Sequence, residues 1–291
     1  MLTNLKNILD LTQGKNCALG AFNVANLETT LGIVKAANNL KAPVIIQVSE
    51  TTIEYAGLNT IVAIVKTLAE DKNITVPIAL HLDHGKSFES VKKCIAAGFS
   101  SIHIDASLLP FNDNVELTKT SVLYAHEHNV LAQGELGILK GVEDKAQTPE
   151  DMAPFFTDPD EAAEFVKLTG VDTLAISIGN MHGIKKFRDI EVPPLDIPRL
   201  KKIHELIPNT PIVLHGASGI KQEQIQPAIE NGVRIINIDT EIRLAFSTSL
   251  KKTLTDDSLL YDPRQILTPS ILAIEQIVSE KINIFNSQNL L

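Results

Sequence analysis

Three histidines stand far apart in the chain, each at the end of a short apolar run and each followed directly by glycine: ALHLDHG (79–85), AISIGNMHG (175–183) and PIVLHGASG (211–219). Imidazoles carried on strand ends can converge on one metal ion, and a following glycine lets the backbone turn and approach a ligand closely. Asp83, one residue before His84, adds a carboxylate within reach of such an ion. The chemistry offered is that of a Lewis acid with a neighbouring acid/base.

Something must bring these residues together, and the chain supplies a regular frame. Eight short apolar, β-branched runs occupy 17–24, 43–49, 77–83, 100–105, 130–136, 172–179, 211–216 and 233–239. They are nearly continuous rather than alternating, as expected of strands covered on both faces in a parallel sheet. Segments of helical period lie between them, such as LETTLGIVKAANNL and FESVKKCIAAG, the latter stopping at Gly98. Strand and helix repeated eight times over 291 residues predicts a closed (β/α)8 barrel, a TIM barrel, with a doubly wound open sheet as the alternative. The barrel is read as one domain over 1–291, with a C-terminal helical tail over about 240–291. Active sites of such barrels sit at the C-terminal strand ends, where the three HG pairs, Asp105, Glu135 and Asp239 fall. Residues 137–157 and 183–198 are long polar connections, of the kind that often cover active sites.

Composition narrows the function. A net charge of -9 argues against a nucleic-acid or anionic-membrane surface, while leaving room for a local basic pocket. The N-terminus lacks a signal-peptide pattern and no run is long enough to span a membrane, so a cytoplasmic protein is expected. Cys17 and Cys94 are in no metal-ligand spacing and read as buried thiols of a reducing compartment.

The segments AFNVANLE, KAPVIIQVSE, ALHLDHG, AGFSSIHIDAS, GELG, KGVED, IGNMHG, VLHGASGI, INIDTE, YDPR and SEKINIFNS occur in order along nearly the whole chain. Together they closely resemble the class II, zinc-dependent ketose-bisphosphate aldolases, the family that cleaves fructose 1,6-bisphosphate or tagatose 1,6-bisphosphate. The resemblance implies a TIM barrel, Zn2+ held by His84, His182 and His215, and Asp83 as the acid/base at the substrate C4 hydroxyl. Glu143 would handle the proton at C3. Asp105 and Glu135 would play a secondary part beside the metal, and His81 would support the ligand set rather than join it. Asn23 and Ser49 match substrate-side positions. Gly183, Lys186, Gly216, Ala217, Ser218, Asn237, Ile238, Asp239 and Thr240 match the site for the dihydroxyacetone-phosphate half. The family also uses a monovalent cation, Na+ or K+, near the second and third HG pairs, and works as a homodimer or homotetramer.

These residue types suit that chemistry. Cleaving a β-hydroxyketone means removing a hydroxyl proton and holding the enediolate left behind. Zinc on three neutral imidazoles keeps its double charge and an open position for this. Turns rich in backbone N–H groups at 216–218 and 237–240 can hold a phosphate. His103, His126, His128 and His204 are read as core or surface histidines without a chemical part. Asp239 has a second reading as the cap of a helix beginning at Thr240.

The chain also departs from the family pattern. Lys185 precedes Lys186 where an aromatic is usual, and Lys140 replaces a glycine in GILKG. The cation for the distal phosphate is open between Arg264, Arg243 and Arg188. Fructose 1,6-bisphosphate is the first expectation, tagatose 1,6-bisphosphate the second. LTPSILAIEQ resembles aldolases that release an unphosphorylated aldehyde. A zinc hydrolase on the same fold and a non-catalytic zinc-binding sugar-phosphate sensor are the remaining alternatives.

Overall fold

A computed structural model of the chain describes residues 1–138, 155–183 and 194–291. The eight expected strands are all present: β1 (Leu19–Asn23), β2 (Val44–Ser49), β3 (Ile78–Gly85), β4 (Ser101–Ile104), β5 (Leu131–Leu136), β6 (Thr173–Ile176), β7 (Ile212–Leu214) and β8 (Val233–Ile238). Each pairs in parallel with the next, and β8 returns to β1, so the sheet closes in sequence order. The open-sheet alternative is excluded by that closure.

Among the described residues, helices fill the intervals: α1 (Leu5–Asp10), α2 (Leu27–Asn39), α3 (Glu50–Ala56), α4 (Leu58–Ala69), α5 (Phe88–Ala97), α6 (Phe111–Glu127), α7 (Pro159–Thr169), α8 (Ile197–Leu206) and α9 (Gln222–Glu230). Their limits follow local chemistry. Asn26 and Thr29 form a reciprocal capping box at the start of α2, Asp158 and Pro159 open α7, and Gly98 ends α5 in the left-handed conformation. The tail forms α10 (Thr240–Asp256) and α11 (Pro263–Ile284), as its helical period implied. α11 packs on α2 and α10, and Lys281 of α11 pairs with Glu241 in the first turn of α10 at 2.8 Å. That buried pair fixes the helix end that borders the site.

Two apolar clusters divide the interior. The larger lies between barrel and helices, where outward strand residues such as Phe22, Ile46, Leu80 and Ile102 meet the helix faces. The smaller lies inside the barrel and is confined to its lower end, where Leu5, Ile8 and Leu9 of α1 pack on Leu19, Ala21, Ile45, Ala79, Ala175, Val213 and Ile235. Side chains two positions further along each strand point to the same interior. There the residue types change to Asn23, Gln47, His81, Gln133, His215 and Asn237, all buried. α1 therefore plugs one end of the barrel with hydrocarbon while the other end is left to polar groups. None of the helices among the described residues is long and apolar enough to cross a membrane.

Candidate active site at the barrel mouth

Period-two alternation should send adjacent residues Asp83 and His84 to opposite faces of the sheet, yet both reach the barrel mouth. A break in the β3–β4 register between Leu82 and Gly85 resolves this. The irregularity re-aims one side chain, and His84 takes φ +50, a left-handed conformation that costs a non-glycine residue roughly 1–3 kcal/mol. Its backbone N–H donates to His103 Nδ1 at 3.3 Å, which helps hold the turn. Gly85 follows because a Cβ there would lie 2.8 Å from the His103 carbonyl oxygen. At the third HG pair, a Cβ on Gly216 would meet the Met181 backbone at 2.5 Å, so the glycine permits the close crossing of the two strand ends. Asn180 fastens the same crossing, donating to the carbonyls of Ile176 and His215 at 3.1 and 3.0 Å.

The side chains then converge. His84 Nε2 and His215 Nδ1 face one another at 3.0 Å, and Asp83 Oδ1 lies 3.8 Å from His84 Nε2. Asn23 Nδ2 donates to the other Asp83 oxygen at 2.7 Å. His84 Nδ1 lies 2.7 Å from Asp105 Oδ2, and because a carboxylate only accepts, that nitrogen donates. Ser107 holds the second Asp105 oxygen through its hydroxyl at 2.7 Å. Asp83, His84, His103 and His215 each offer a donor atom within 4.8 Å of the others, and His84, His103, Asp105 and Glu135 do likewise. His182 is in neither set; its ring centroid lies 5.4 Å from that of His84 and 6.2 Å from that of His215, on the same cavity. His81 lies deeper, with Nδ1 2.8 Å from Ser101 Oγ, and makes no ligand pair with His84.

The donors suit a divalent cation. Two nitrogens on a tetrahedral zinc stand about 3.3 Å apart for bonds of about 2.0–2.1 Å, close to the observed His84–His215 separation. Asp83 Oδ1, His103 Nε2 and Glu135 Oε2 are buried polar atoms with no hydrogen-bond partner, an arrangement that costs free energy unless a cation or water satisfies them. Without a metal the cluster is strongly polarised. Burial pushes the His84 imidazole down, but the Asp83 charge and the Asp105 bond outweigh it and raise it to about 10. Burial also pushes the Asp83 carboxyl up, and the His84 charge with the Asn23 hydrogen bond reverses this to a net lowering. His215 is driven well below its ordinary value by burial and by its imidazole neighbours.

A cavity of about 650 Å3 opens above the cluster. Asn23, Ser49, Asp83, His84, His182, Gly183, His215, Gly216, Ser218, Asn237, Asp239 and Thr240 line it, together with Thr51, Arg243, Leu244 and Ser247. Ala217 and Ile238, expected on the substrate side, have side chains packed in the apolar layer and leave only backbone for such a contact. Glu143, Lys186, Lys140, Lys185 and Arg188 lie outside the described residues. Asp239 stands at the cap position of α10 but makes no side-chain cap; Arg243 Nε donates to its Oδ1 at 2.6 Å instead. The N-terminal turn of a 17-residue helix thus meets the cavity without a carboxylate over its N–H groups, a setting that favours an anion. Burial raises the Asp239 carboxyl, and Arg243 only partly offsets the rise. Arg264 is not among the residues lining this cavity and clasps Asp262 on the surface.

His103 is the residue whose sequence reading changes. Taken there as an ordinary core histidine, it sits wholly buried in both donor sets, with Nε2 3.3 Å from Glu135 Oε2. Strand alternation was the available signal, since Ser101, His103 and Asp105 share a face. The other three fit their reading: His126 pairs with Asp172 and His128 bonds the Tyr124 carbonyl at the surface, and His204 packs beside Gly232.

A closed parallel barrel with a buried imidazole–carboxylate cluster at the C-terminal strand ends has the layout of a barrel enzyme whose donor set could hold a metal ion. The family model for class II fructose-bisphosphate aldolase matches residues 3–290. Fructose-bisphosphate aldolase of Geobacillus stearothermophilus is 44% identical over 287 residues, covering 98% of this chain and 97% of that protein. The Staphylococcus aureus (strain N315) enzyme of the same name is 41% identical over 289 residues, covering 99% and 98%. Among solved structures, the YdjI aldolase from Escherichia coli K12 superposes with a TM-score of 0.84 at 30% identity, covering 99% of each chain. The chain belongs to the class II fructose-bisphosphate aldolase family and is a carbon–carbon lyase of the ketose-bisphosphate aldolase class.

Proposed function

We propose that the chain reversibly cleaves fructose 1,6-bisphosphate to dihydroxyacetone phosphate and glyceraldehyde 3-phosphate, with Zn2+ held by His84, His182 and His215. The observation that carries this reading is Asp83. One oxygen is pinned by Asn23, and the other, buried and without a hydrogen-bond partner, faces the cavity 3.8 Å from His84 Nε2. A carboxylate so held, with its pKa lowered, can take the C4 hydroxyl proton as the C3–C4 bond breaks and return it in the condensation direction. When bound, zinc supplies a Lewis acid that polarises the substrate ketone. Glu143 is assigned the proton at C3. Asp105 orients His84, Glu135 faces His103 and His215, and His81 packs below through Ser101.

The turns at 216–218 and 237–240, with Gly183 and Lys186, are assigned to the phosphate of the dihydroxyacetone half, and Ser49 lines the same cavity. Ser218 Oγ already accepts the Asp239 N–H at 3.3 Å, which draws the two turns together. Of the arginines considered, Arg243 is the one that lines the cavity among the described residues, and it is our choice for the distal phosphate. A Na+ or K+ ion near Gly183 and Gly216, a homodimeric or homotetrameric working form and a cytoplasmic location complete the proposal.

The test is a coupled triose-phosphate assay on metal-loaded protein with fructose and tagatose 1,6-bisphosphates, with and without chelator. Chelator-sensitive, zinc-restorable cleavage with fructose bisphosphate preferred supports the reading. Preference for tagatose bisphosphate reassigns the substrate, and no cleavage of either moves the assignment to an unphosphorylated-aldehyde aldolase or a sensor.

A further inference from the structure

The first turn of α10 carries a carboxylate that takes no part in starting that helix. Glu241 stands two residues after the cap position, where an acidic side chain ordinarily lies close to its own helix's free N–H groups. Its Oε1 reaches instead to Lys281 Nζ in the last turn of α11 at 2.8 Å, and its Oε2 is buried without a hydrogen-bond partner. Asp239, at the cap position itself, bonds Arg243. Two acidic residues thus stand at the start of α10, and each is drawn to a cation instead.

Lys281 belongs to a frame that leaves it little freedom. Its side chain is 7% exposed and that of Glu241 16%, so the pair is largely shielded from water. Val278 and Ile282 on the same helix, and Ile242 next to Glu241, are wholly buried. α11 lies close on α2, where a Cβ on Gly32 would come within 2.6 Å of Ile274 Cγ2. Just past the end of α11, the Ala18 N–H donates to the Phe285 carbonyl at 2.9 Å, one residue before β1 begins. Lys281 is thereby fixed relative to the barrel and can hold Glu241 in one place. Removing either partner of such a pair leaves the other charge uncompensated where it is poorly screened.

Resting on the phosphate subsite assigned above to the turn at 237–240, we propose that Lys281 is a positioning residue for substrate binding: it draws the Glu241 carboxylate away from the first turn of α10 and cancels its charge, leaving those N–H groups to the substrate phosphate. Successive residues on a helix point about 100° apart, so Thr240 lines the cavity while Glu241 faces α11 and is not part of the lining. Without Lys281 the carboxylate either turns onto the free N–H groups or keeps its place with its charge unopposed, and in both cases the phosphate meets a competing negative charge. Without the Glu241 charge, Lys281 adds a positive one. The two residues therefore act on phosphate binding with opposite signs, whereas a pair that served packing alone would weaken binding whichever partner was lost.

The experiment measures dihydroxyacetone phosphate binding by calorimetry in the zinc-loaded wild-type chain, Lys281→Met, Glu241→Gln and the double variant. Lys281→Met should bind about tenfold more weakly, and Glu241→Gln about threefold more tightly. The double variant, with neither charge, should return to within about twofold of wild type. Steady-state cleavage should show the same order in KM, with kcat changed much less. Unchanged binding in Lys281→Met, or weakening in Glu241→Gln, would overturn the proposal. If Lys281→Met does not fold, the other two variants decide it: weakened binding in either is the contrary result. Failure of the wild-type chain itself to bind dihydroxyacetone phosphate would instead overturn the phosphate-subsite reading, and this proposal with it.

Discussion

The two halves of the barrel interior use the same strands and the same alternation but opposite chemistry. Along β1, β2, β3, β7 and β8, Ala21, Ile45, Ala79, Val213 and Ile235 in the lower half are followed two residues later by Asn23, Gln47, His81, His215 and Asn237. One step along each strand takes the interior from hydrocarbon sealed by α1 to a cluster of donors and acceptors, several without a protein partner. The lower half is satisfied by packing alone. The upper half keeps unsatisfied groups, and an outward layer of apolar residues covers both halves equally. The division teaches that stability and chemistry are separated here by about one strand repeat, and substitutions on the two sides should have separable consequences.

The largest effect should come from Asp83→Ala. Removing a general acid/base costs about 10²–10⁴-fold in turnover. The coupled assay should register a loss in that range, while metal content and melting temperature remain near wild type. A melting temperature that falls as far as the activity would erase the distinction between the halves. In the lower half, Ile45→Ala should do the reverse, costing about 2–5 kcal/mol in denaturant unfolding while turnover per folded molecule is kept.

Asn23→Ala probes the boundary. It removes the hydrogen bond to Asp83 Oδ2, one to a charged group, worth about 1.5–3 kcal/mol. Cleavage should slow by about tenfold or more, less than in Asp83→Ala, with the pKa of the acidic limb of the rate profile moved upward because a contact that lowers the Asp83 carboxyl is lost. An unmoved limb would show that Asn23 serves only the packing.

His81 gives the most specific effect, one confined to the pH dependence of stability. Burial drives its imidazole down to about 3 against an ordinary value of 6.5, the Asp83 charge opposing only in part. The unfolded chain therefore binds a proton that the folded chain refuses. The stabilisation is complete above pH 6.5 and is lost as pH falls toward 3, by up to about 1.4 kcal/mol per pH unit. In metal-free protein, His81→Asn should make the fall of stability between pH 6.5 and 4 shallower by about that slope. An unchanged slope would mean that His81 takes up its proton without unfolding.

Much of this architecture was legible in the residues because a parallel barrel repeats one simple signal. Apolar β-branched runs at a steady interval marked every strand, and the HG pairs marked the ends of β3 and β7 and the loop after β6. What stayed hidden depended on three-dimensional detail. The lower plug is a six-residue helix, too short for its period to announce that Leu5, Ile8 and Leu9 enter the barrel. His84 reaches the mouth only through a register break and a left-handed backbone, which no side-chain pattern encodes. His103 lay in an apolar run, SSIHID, where a lone histidine is usually a core residue, and its partner Glu135 is 32 positions away. Asp239 was placed correctly at a helix start, but its preference for Arg243 over the backbone is a tertiary choice.

The most direct test of the upper half as a metal centre is an anomalous difference map at the zinc edge from crystals of the zinc-loaded protein. A single strong peak between His84 Nε2 and His215 Nδ1, with His182 as the third ligand, is the predicted result. No peak, or zinc held by His103, Asp105 and Glu135 with His182 and His215 turned away, would contradict it.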